Sequence, residues 1–220
     1  MIKLSKRLLG ISKFISKDDV VLDIGCDHAL LDIYLSNKYS KVYYASDIRE
    51  SALDMARSNI KKYSANKVVL KCGNGLDVID QNMNVNTIII SGMGYLSIIG
   101  ILKNIKYLNN IDKLVIQSNS NPEIVRKFIL KNGFYIEEET LILDKNIYYV
   151  ISSFRRGKKR YSKIDKEIGT MTDGILKNYI LLEIKRNNIL LSIIPKKQIL
   201  RRMSIKRKLR FLVKKKNSIF

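Results

Sequence analysis

The sequence predicts an α/β protein in which a doubly wound parallel sheet is followed by a basic helical extension. Three observations carry this. Short segments rich in β-branched residues alternate with segments whose apolar residues recur every three or four positions. The short segments are apolar throughout rather than at every second residue, which is the pattern of strands covered on both faces. Beyond Arg155 no strand pattern returns, and the chain turns strongly basic.

DDVVLDIG is a first strand ending at Gly25, and HALLDIYLSNKY follows as a helix with apolar residues at 30, 31, 33, 34 and 35. KVYYASD is a second strand, and RESALDMARSNIKKY carries Ala52, Leu53, Met55, Ala56 and Ile60 on one helical stripe. NKVVLKCG, VNTIIISG and IDKLVIQS are three more strands, with a helix predicted over residues 95–108 between the last two. NPEIVRKFILKNG is a helix with Pro122 in its first turn and Gly133 at its end. FYIEEETLILDKNIYYVISSFRR is two extended runs around a polar DKN turn, a hairpin that closes one edge of the sheet. Ile164, Ile168, Met171, Ile175, Tyr179 and Leu182 then predict one long amphipathic helix. Pro195 interrupts it, and Ile199, Met203, Leu209 and Leu212 resume as the second arm of a coiled-coil-like helical hairpin. The expected division is 1–157 for the sheet domain and 158–220 for the helical one.

Composition narrows the function. With 46% apolar and 28% charged residues the chain is globular in kind. Its longest apolar runs are far too short to span a bilayer, and its basic N-terminus lacks the apolar core of a secretory signal. Two cysteines give no disulfide framework, and with a single histidine they make no zinc set. A cytoplasmic, metal-free monomer is the expectation. The net charge of +21 is unevenly placed: residues 1–154 hold 20 basic and 16 acidic side chains, residues 155–220 hold 21 and 4. A polyanionic partner, nucleic acid, follows from that asymmetry.

In an open α/β sheet the ligand lies outside the carboxyl ends of the strands. The first strand ends in GCDHAL, with Gly25 but without the further glycines a dinucleotide pyrophosphate needs, and with anionic Asp27 where a phosphate would approach. Such a loop suits a cationic ligand without phosphate, and S-adenosylmethionine fits: Asp23 or Asp27 can hold its charged groups. The second strand ends in Asp47, followed by Ile48, where a carboxylate can take both hydroxyls of a ribose. The third ends in GNGL, where Asn74 can read an adenine amine and Gly75 lets backbone come close. The fourth ends in SGMG, residues 91–94.

The runs LDIGCDHALLDIYL, ASDI, GNGL, IIISGMGYLSIIGIL and LVIQSNSNPEIVRKFIL, together with LSKRL at residues 4–8, resemble the bacterial tRNA (adenine(22)-N(1))-methyltransferase family, TrmK-like, from about residue 3 to 154. The resemblance implies a class I S-adenosylmethionine-dependent methyltransferase fold, with a seven-stranded Rossmann-like sheet ending in an antiparallel hairpin, and a helical domain that helps to hold tRNA. It implies methylation of N1 of an adenine. Carried over by position, Asp23, Gly25, Asp27 and His28 match the first motif, Asp47 the ribose-binding acid, and Gly92, Met93 and Gly94 the loop under the target base. Three positions depart from the pattern: Tyr95 replaces a second glycine, Asn74 replaces an acid, and Gln117–Ser118–Asn119 lacks the usual proline.

N1 of neutral adenine attacks with its own lone pair, so catalysis is expected to rest on alignment. A stacked base must first be extracted from the tRNA. Carbonyls of the Gly92–Gly94 turn can accept from its exocyclic amine, and Met93 or Tyr95 can pack on the ring. Asp27 and His28 are the candidates for holding or deprotonating that amine; the alternative for His28 is to orient the loop. Arg7 is placed at the site mouth for a phosphate or base contact, and Arg155 and Arg156 as tRNA contacts. The rival readings are a methyltransferase acting on another RNA, a protein or a small molecule, and a silent nucleic-acid-binding protein.

Overall fold

The structure, a computed structural model, describes residues 2–80, 82–103 and 110–219. Its elements fall into two compact units, Met1–Lys158 and Lys159–Phe220.

The first unit is a seven-stranded sheet. The strands are β1 (Val21–Ile24), β2 (Tyr43–Asp47), β3 (Val68–Cys72), β4 (Thr87–Met93), β5 (Lys113–Ser118), β6 (Phe134–Asp144) and β7 (Ile147–Arg156), in the order β3-β2-β1-β4-β5-β7-β6. The first five are parallel, and β7 runs antiparallel to both β5 and β6. The uniformly apolar strands do lie in the middle: every residue of β1 and β5 is buried, whereas the edge strand β3 buries only its first. The hairpin turn is at Lys145 and Asn146, both with positive φ (48° and 65°), the backbone that matches the twist of its strands.

Helices α1 (Lys6–Ser12), α2 (Leu30–Tyr39), α3 (Glu50–Lys62), α4 (Tyr95–Leu102) and α5 (Pro122–Lys131) surround this sheet. Helix α3 follows most of its sequence logic: Ala52, Leu53 and Ala56 are buried while Met55 of the expected stripe is exposed, Glu50 opens the first turn and Lys61 and Lys62 close the last, charges that suit the helix dipole. The predicted helix over 95–108 is α4 as far as Leu102, with Lys103 as its C-cap; residues 104–108 of that expectation lie outside the described residues. The core joins Ile11 of α1 and Phe14 just after it to Val21, Ile33, Leu35, Tyr43, Ala45, Ile89, Val115 and Ile151.

Two buried ion pairs fix the sheet's far parts. At the amino end of the parallel strands Lys113 Nζ meets Asp19 Oδ2 at 3.0 Å and donates to the Phe14 carbonyl, while Thr87 Oγ1 donates to Asp19 Oδ1. Beside the hairpin Arg126 Nε meets Glu139 Oε1 at 2.8 Å, and Ser152 donates to the same oxygen.

The second unit contains α6 (Lys163–Ile168), α7 (Leu176–Ile193) and α8 (Ile199–Ile219). The single helix predicted across 164–182 is therefore corrected to two. Helix α6 starts at a Ser162/Asp165 capping box and stops at Gly169, whose φ of 104° ends the helical path. Ile168, Met171, Leu176 and Ile180 are still buried, so the apolar spacing marked a packed face that the chain follows through a turn. The Pro195 break is where expected, and Arg202 Nη1 closes α7 by donating to the carbonyls of Leu191 (2.7 Å) and Ile194 (2.6 Å).

Candidate active site

The strand order turns between β1 and β4, and the crevice outside their carboxyl ends is where a doubly wound sheet takes a ligand. A cavity of about 1030 Å³ opens there. Four successive strand ends reach it: Asp23 and Gly25 after β1, Asp47 and Ile48 after β2, Asn74 and Gly75 after β3, and Gly92 and Met93 at the end of β4. Asp27, His28 and Arg7 line it as well. Gly94 and Tyr95 lie beyond it, as the N-cap and first residue of α4.

The β1 turn is shaped by unusual backbone. Gly25 has φ +77°, and a Cβ there would stand 2.1 Å from Met93 Cε, so a side chain would displace Met93 from the cavity floor. Asp27 and Ala29 both have φ 52° without being glycine, and α2 starts at Ala29 with no side-chain cap. Left-handed non-glycine residues in a cleft mark a turn held for a purpose. The turn presents Asp27 and His28 half-exposed, with His28 Nε2 3.4 Å from Asp27 Oδ2, while His28 Nδ1 is buried and has no hydrogen-bond partner among the described residues.

Arg49, which the sequence reading did not single out, ties the turn to β2. Its Nε lies 3.3 Å from Asp47 Oδ1 and its Nη2 3.5 Å from Asp27 Oδ1. Asp47 is 6% exposed and also accepts from the Arg49 amide at 2.9 Å, which leaves Oδ2 for a ligand. Ile48 beside it is 64% exposed, an apolar platform at the cavity wall.

The β4 turn is braced from β5. Gln117 Oε1 accepts from Gly92 N–H at 3.0 Å and from Arg7 Nη1 at 2.8 Å. Gln117 Nε2 donates to Asn119 Oδ1, and Asn119 Nδ2 donates to the Gly92 carbonyl at 2.6 Å. Asn119 N–H donates to the Met93 carbonyl, and the Gly94 carbonyl accepts from Ile98. All three carbonyls expected to receive an adenine amine thus already hold one hydrogen bond. Arg7 is likewise committed: besides Gln117 it lies 5.7 Å from the Tyr149 ring, and its amide donates to Asp144. It is a strut from α1 to the β4 turn. Gln117 and Asn119 were noticed only as a departure from a motif; two amides two residues apart at a strand end was the signal that they clamp a loop.

Arg155 and Arg156, expected as tRNA contacts, are not among the residues that line this cavity. Residue 155 pairs with Lys113 at the start of β5, the opposite end of the sheet. Arg155 Nε holds Glu137 at 2.6 Å, and Arg156 donates to the Ile111 carbonyl and stacks 4.8 Å from the Phe134 ring. The antiparallel direction of β7 is the reason: a hairpin that returns along β5 ends where β5 begins.

The electrostatics centre on Asp23, 4% exposed, with Oδ1 lacking a hydrogen-bond partner among the described residues. Burial pushes its carboxyl up to about 7, opposed by Asp32 and Arg7 and reinforced by Asp47. Burial also drives the Cys26 thiol upward, so that sulfur is an inert wall. The site fits S-adenosylmethionine on these observations: an orphaned buried carboxylate oxygen for a cationic group, a floor at Gly25 that a Cβ would fill, and an acid at the β2 end for ribose hydroxyls. Among the described residues no group of His, Cys, Asp and Glu is placed to hold a metal.

Comparison with known proteins agrees. The methyltransferase domain pattern matches residues 4–152. A putative tRNA methyltransferase of Mycoplasma genitalium is 32% identical over 75% of this chain and 75% of its own. The tRNA (adenine(22)-N(1))-methyltransferase of Bacillus subtilis is 28% identical over 83% and 79%. The structure of TrmK from M. capricolum, in complex with the cofactor product S-adenosyl-homocysteine, superposes with a TM-score of 0.87 at 26% identity, covering 99% of each chain. A doubly wound sheet with a phosphate-free, acid-lined cavity at its switch point and a sequence alike over most of its length place the chain plainly: it belongs to the methyltransferase-domain family, among the methyltransferases of the TrmK kind.

Proposed function

We propose that this protein transfers the methyl group of S-adenosylmethionine to N1 of adenine 22 in tRNA. The observation that carries the reading is the convergence of four strand ends on one cavity, with a braced Gly92–Met93–Gly94 turn at its side. The donor supplies an electrophilic methyl on a sulfonium; the chain's own residues bind and align. Asp47 holds the ribose, Ile48 supports the adenine, Asn74 reads its amine, and Asp23 takes a cationic group of the donor. The clamped β4 turn fixes Met93 against Gly25 and so sets where a target base can stand. Because N1 needs no deprotonation to attack, this positioning is the main catalytic contribution.

Asp27 and His28 face the same cavity and are half-exposed, free to meet an extracted base. Asp27 accepts from the exocyclic amine, and His28 orients Asp27 or takes the proton that methylated adenine sheds. Arg7 acts through Gln117 on the β4 turn. The helical unit contributes a basic face: Lys206, Arg207, Arg210 and Lys214 on α8 are exposed, suited to a tRNA backbone. Residues 158–220 are on this reading the tRNA-holding domain, and the protein is a cytoplasmic monomer; among the described residues no helix is long and apolar enough to cross a membrane.

The test is transfer of radiolabelled methyl to unmodified tRNA, followed by nuclease digestion to nucleosides. Label in 1-methyladenosine, lost when adenine 22 is replaced by guanine, supports the proposal. Label that survives the replacement moves the target, and label in protein or another nucleoside refutes it.

A further inference from the structure

Behind the donor cavity lies an acid that the proposed chemistry does not use. Asp32, in the first turn of α2, is fully buried, and neither of its carboxylate oxygens has a hydrogen-bond partner among the described residues. The group that acts on it most is another carboxylate, that of Asp23, whose own Oδ1 is buried and lacks a hydrogen-bond partner among the described residues; the Asp32 backbone amide alone favours its charge. Among the described residues no cation forms an ion pair with either carboxylate. Arg7 and Asp47 face Asp23 from α1 and β2 with opposite effects, Arg7 favouring the charged form through its field while its Nη1 donates to Gln117. Cys26 and Tyr43 face Asp32, and burial pushes both upward, so they stay neutral. Two adjacent carboxylates removed from water cannot both be charged; one proton between them turns repulsion into a short hydrogen bond.

We propose that Asp32 is a positioning residue for the methyl donor: it shares one proton with Asp23 in the free protein, and the donor's α-ammonium group displaces that proton to solvent when it docks against Asp23. The inference rests on the donor proposed above. The pair keeps the site from holding two uncompensated negative charges when empty and gives a full carboxylate when the cation arrives. Donor binding is then coupled to proton release, and affinity rises with pH. The limit is about tenfold per pH unit in the range where the free pair is protonated and the bound pair is not.

Titration calorimetry of the full chain with S-adenosyl-homocysteine, in buffers of different ionisation enthalpy, reads this directly. Working at pH 6.5 keeps the ligand's own amino group, ordinarily near 7.7–8.0, protonated. The expected result is release of more than about half a proton per ligand. Methylthioadenosine, which lacks the amino-acid arm, is expected to bind with almost none. Asp32→Asn places an amide donor against Asp23, which then stays ionised. Release should vanish, and affinity at pH 6 should rise several-fold and become flat with pH. His28, half-exposed nearby, is the competing source, so His28→Asn should release as much as the native chain. No release from the native chain, equal release with methylthioadenosine, unchanged release in Asp32→Asn, or its loss in His28→Asn each overturns the proposal. If Asp32→Asn fails to fold, the native comparison of the two ligands still decides. No binding of S-adenosyl-homocysteine at any pH strikes the donor reading itself; binding without proton release strikes only the shared proton.

Discussion

Replacing Gln117 by alanine isolates the clamp on the β4 turn. The side chain is fully buried, and its Oε1 is the common acceptor for Gly92 N–H (3.0 Å) and Arg7 Nη1 (2.8 Å). Alanine leaves that amide without its acceptor, at about 1–3 kcal/mol, and frees the α1 strut. Asn119 loses its partner at Oδ1 and with it the geometry that delivers Nδ2 to the Gly92 carbonyl. Global stability should fall by about 2–4 kcal/mol. The turn should shift by a sizeable fraction of an ångström, enough to cost about 10–100-fold in kcat. The donor contacts proposed at Asp23, Asp47 and Asn74 do not run through Gln117, so the donor's Kd should change less than about threefold. Q117E is the control: it keeps the Oε1 acceptor for Gly92 and Arg7 while losing the bond to Asn119, and should recover most of kcat. The assays are methyl transfer at saturating donor and calorimetric donor binding. Donor affinity falling in step with kcat would refute the clamp, as would a destabilised variant with native turnover.

Three further outcomes are expected. Asp47→Ala removes the buried carboxylate at the β2 end and should weaken donor binding by about 1.5–3 kcal/mol, roughly 10–150-fold, with tRNA affinity unchanged by filter binding. Asp32→Asn should alter thermal stability in a pH-dependent way. Asp23 is raised from 3.8 to about 7 on folding, so its contribution is fully present below the unfolded value and is lost as pH rises through 7. Relieving the like charge should therefore leave Tm near native at pH 5.5 and raise it by about 3–5 °C at pH 8, from roughly 1–2 kcal/mol. A triple exchange of Arg207, Arg210 and Lys214 to Gln should flatten the salt dependence of tRNA binding by about 0.7–0.9 for each phosphate no longer neutralised, with donor affinity unaffected. Arg202 is unsuitable for such a set because it caps α7.

What the sequence made legible follows from what burial demands of it. A strand covered on both faces must be apolar throughout, so β1, β4 and β5 announced themselves, and their ends pointed to Asp23, Gly25, Asp47, Asn74 and Gly92. The long helix over 164–182 failed for a related reason. Apolar spacing records which residues are buried, not whether the backbone between them is continuous, and Gly169 was the local evidence that it is not. Charge composition carries no direction, so the sequence left open where Arg155 and Arg156 lie; the antiparallel return of β7 sends them to the amino end of the sheet, onto Glu137 and Phe134. Asp32 was hidden most completely. In the sequence it is one polar residue on a helix, where an acid in the first turn is ordinary. Only the fold shows that this turn faces inward, so that an unremarkable acid becomes half of a buried pair with Asp23, which lines the cavity. The positions that local pattern reads worst are those where one element's polar residue is answered by another's, as Gln117 answers Gly92 and Asp32 answers Asp23. Those are also the positions where the chain controls alignment and charge, so mutational tests of this site should begin with the residues behind the cavity wall as well as those that line it.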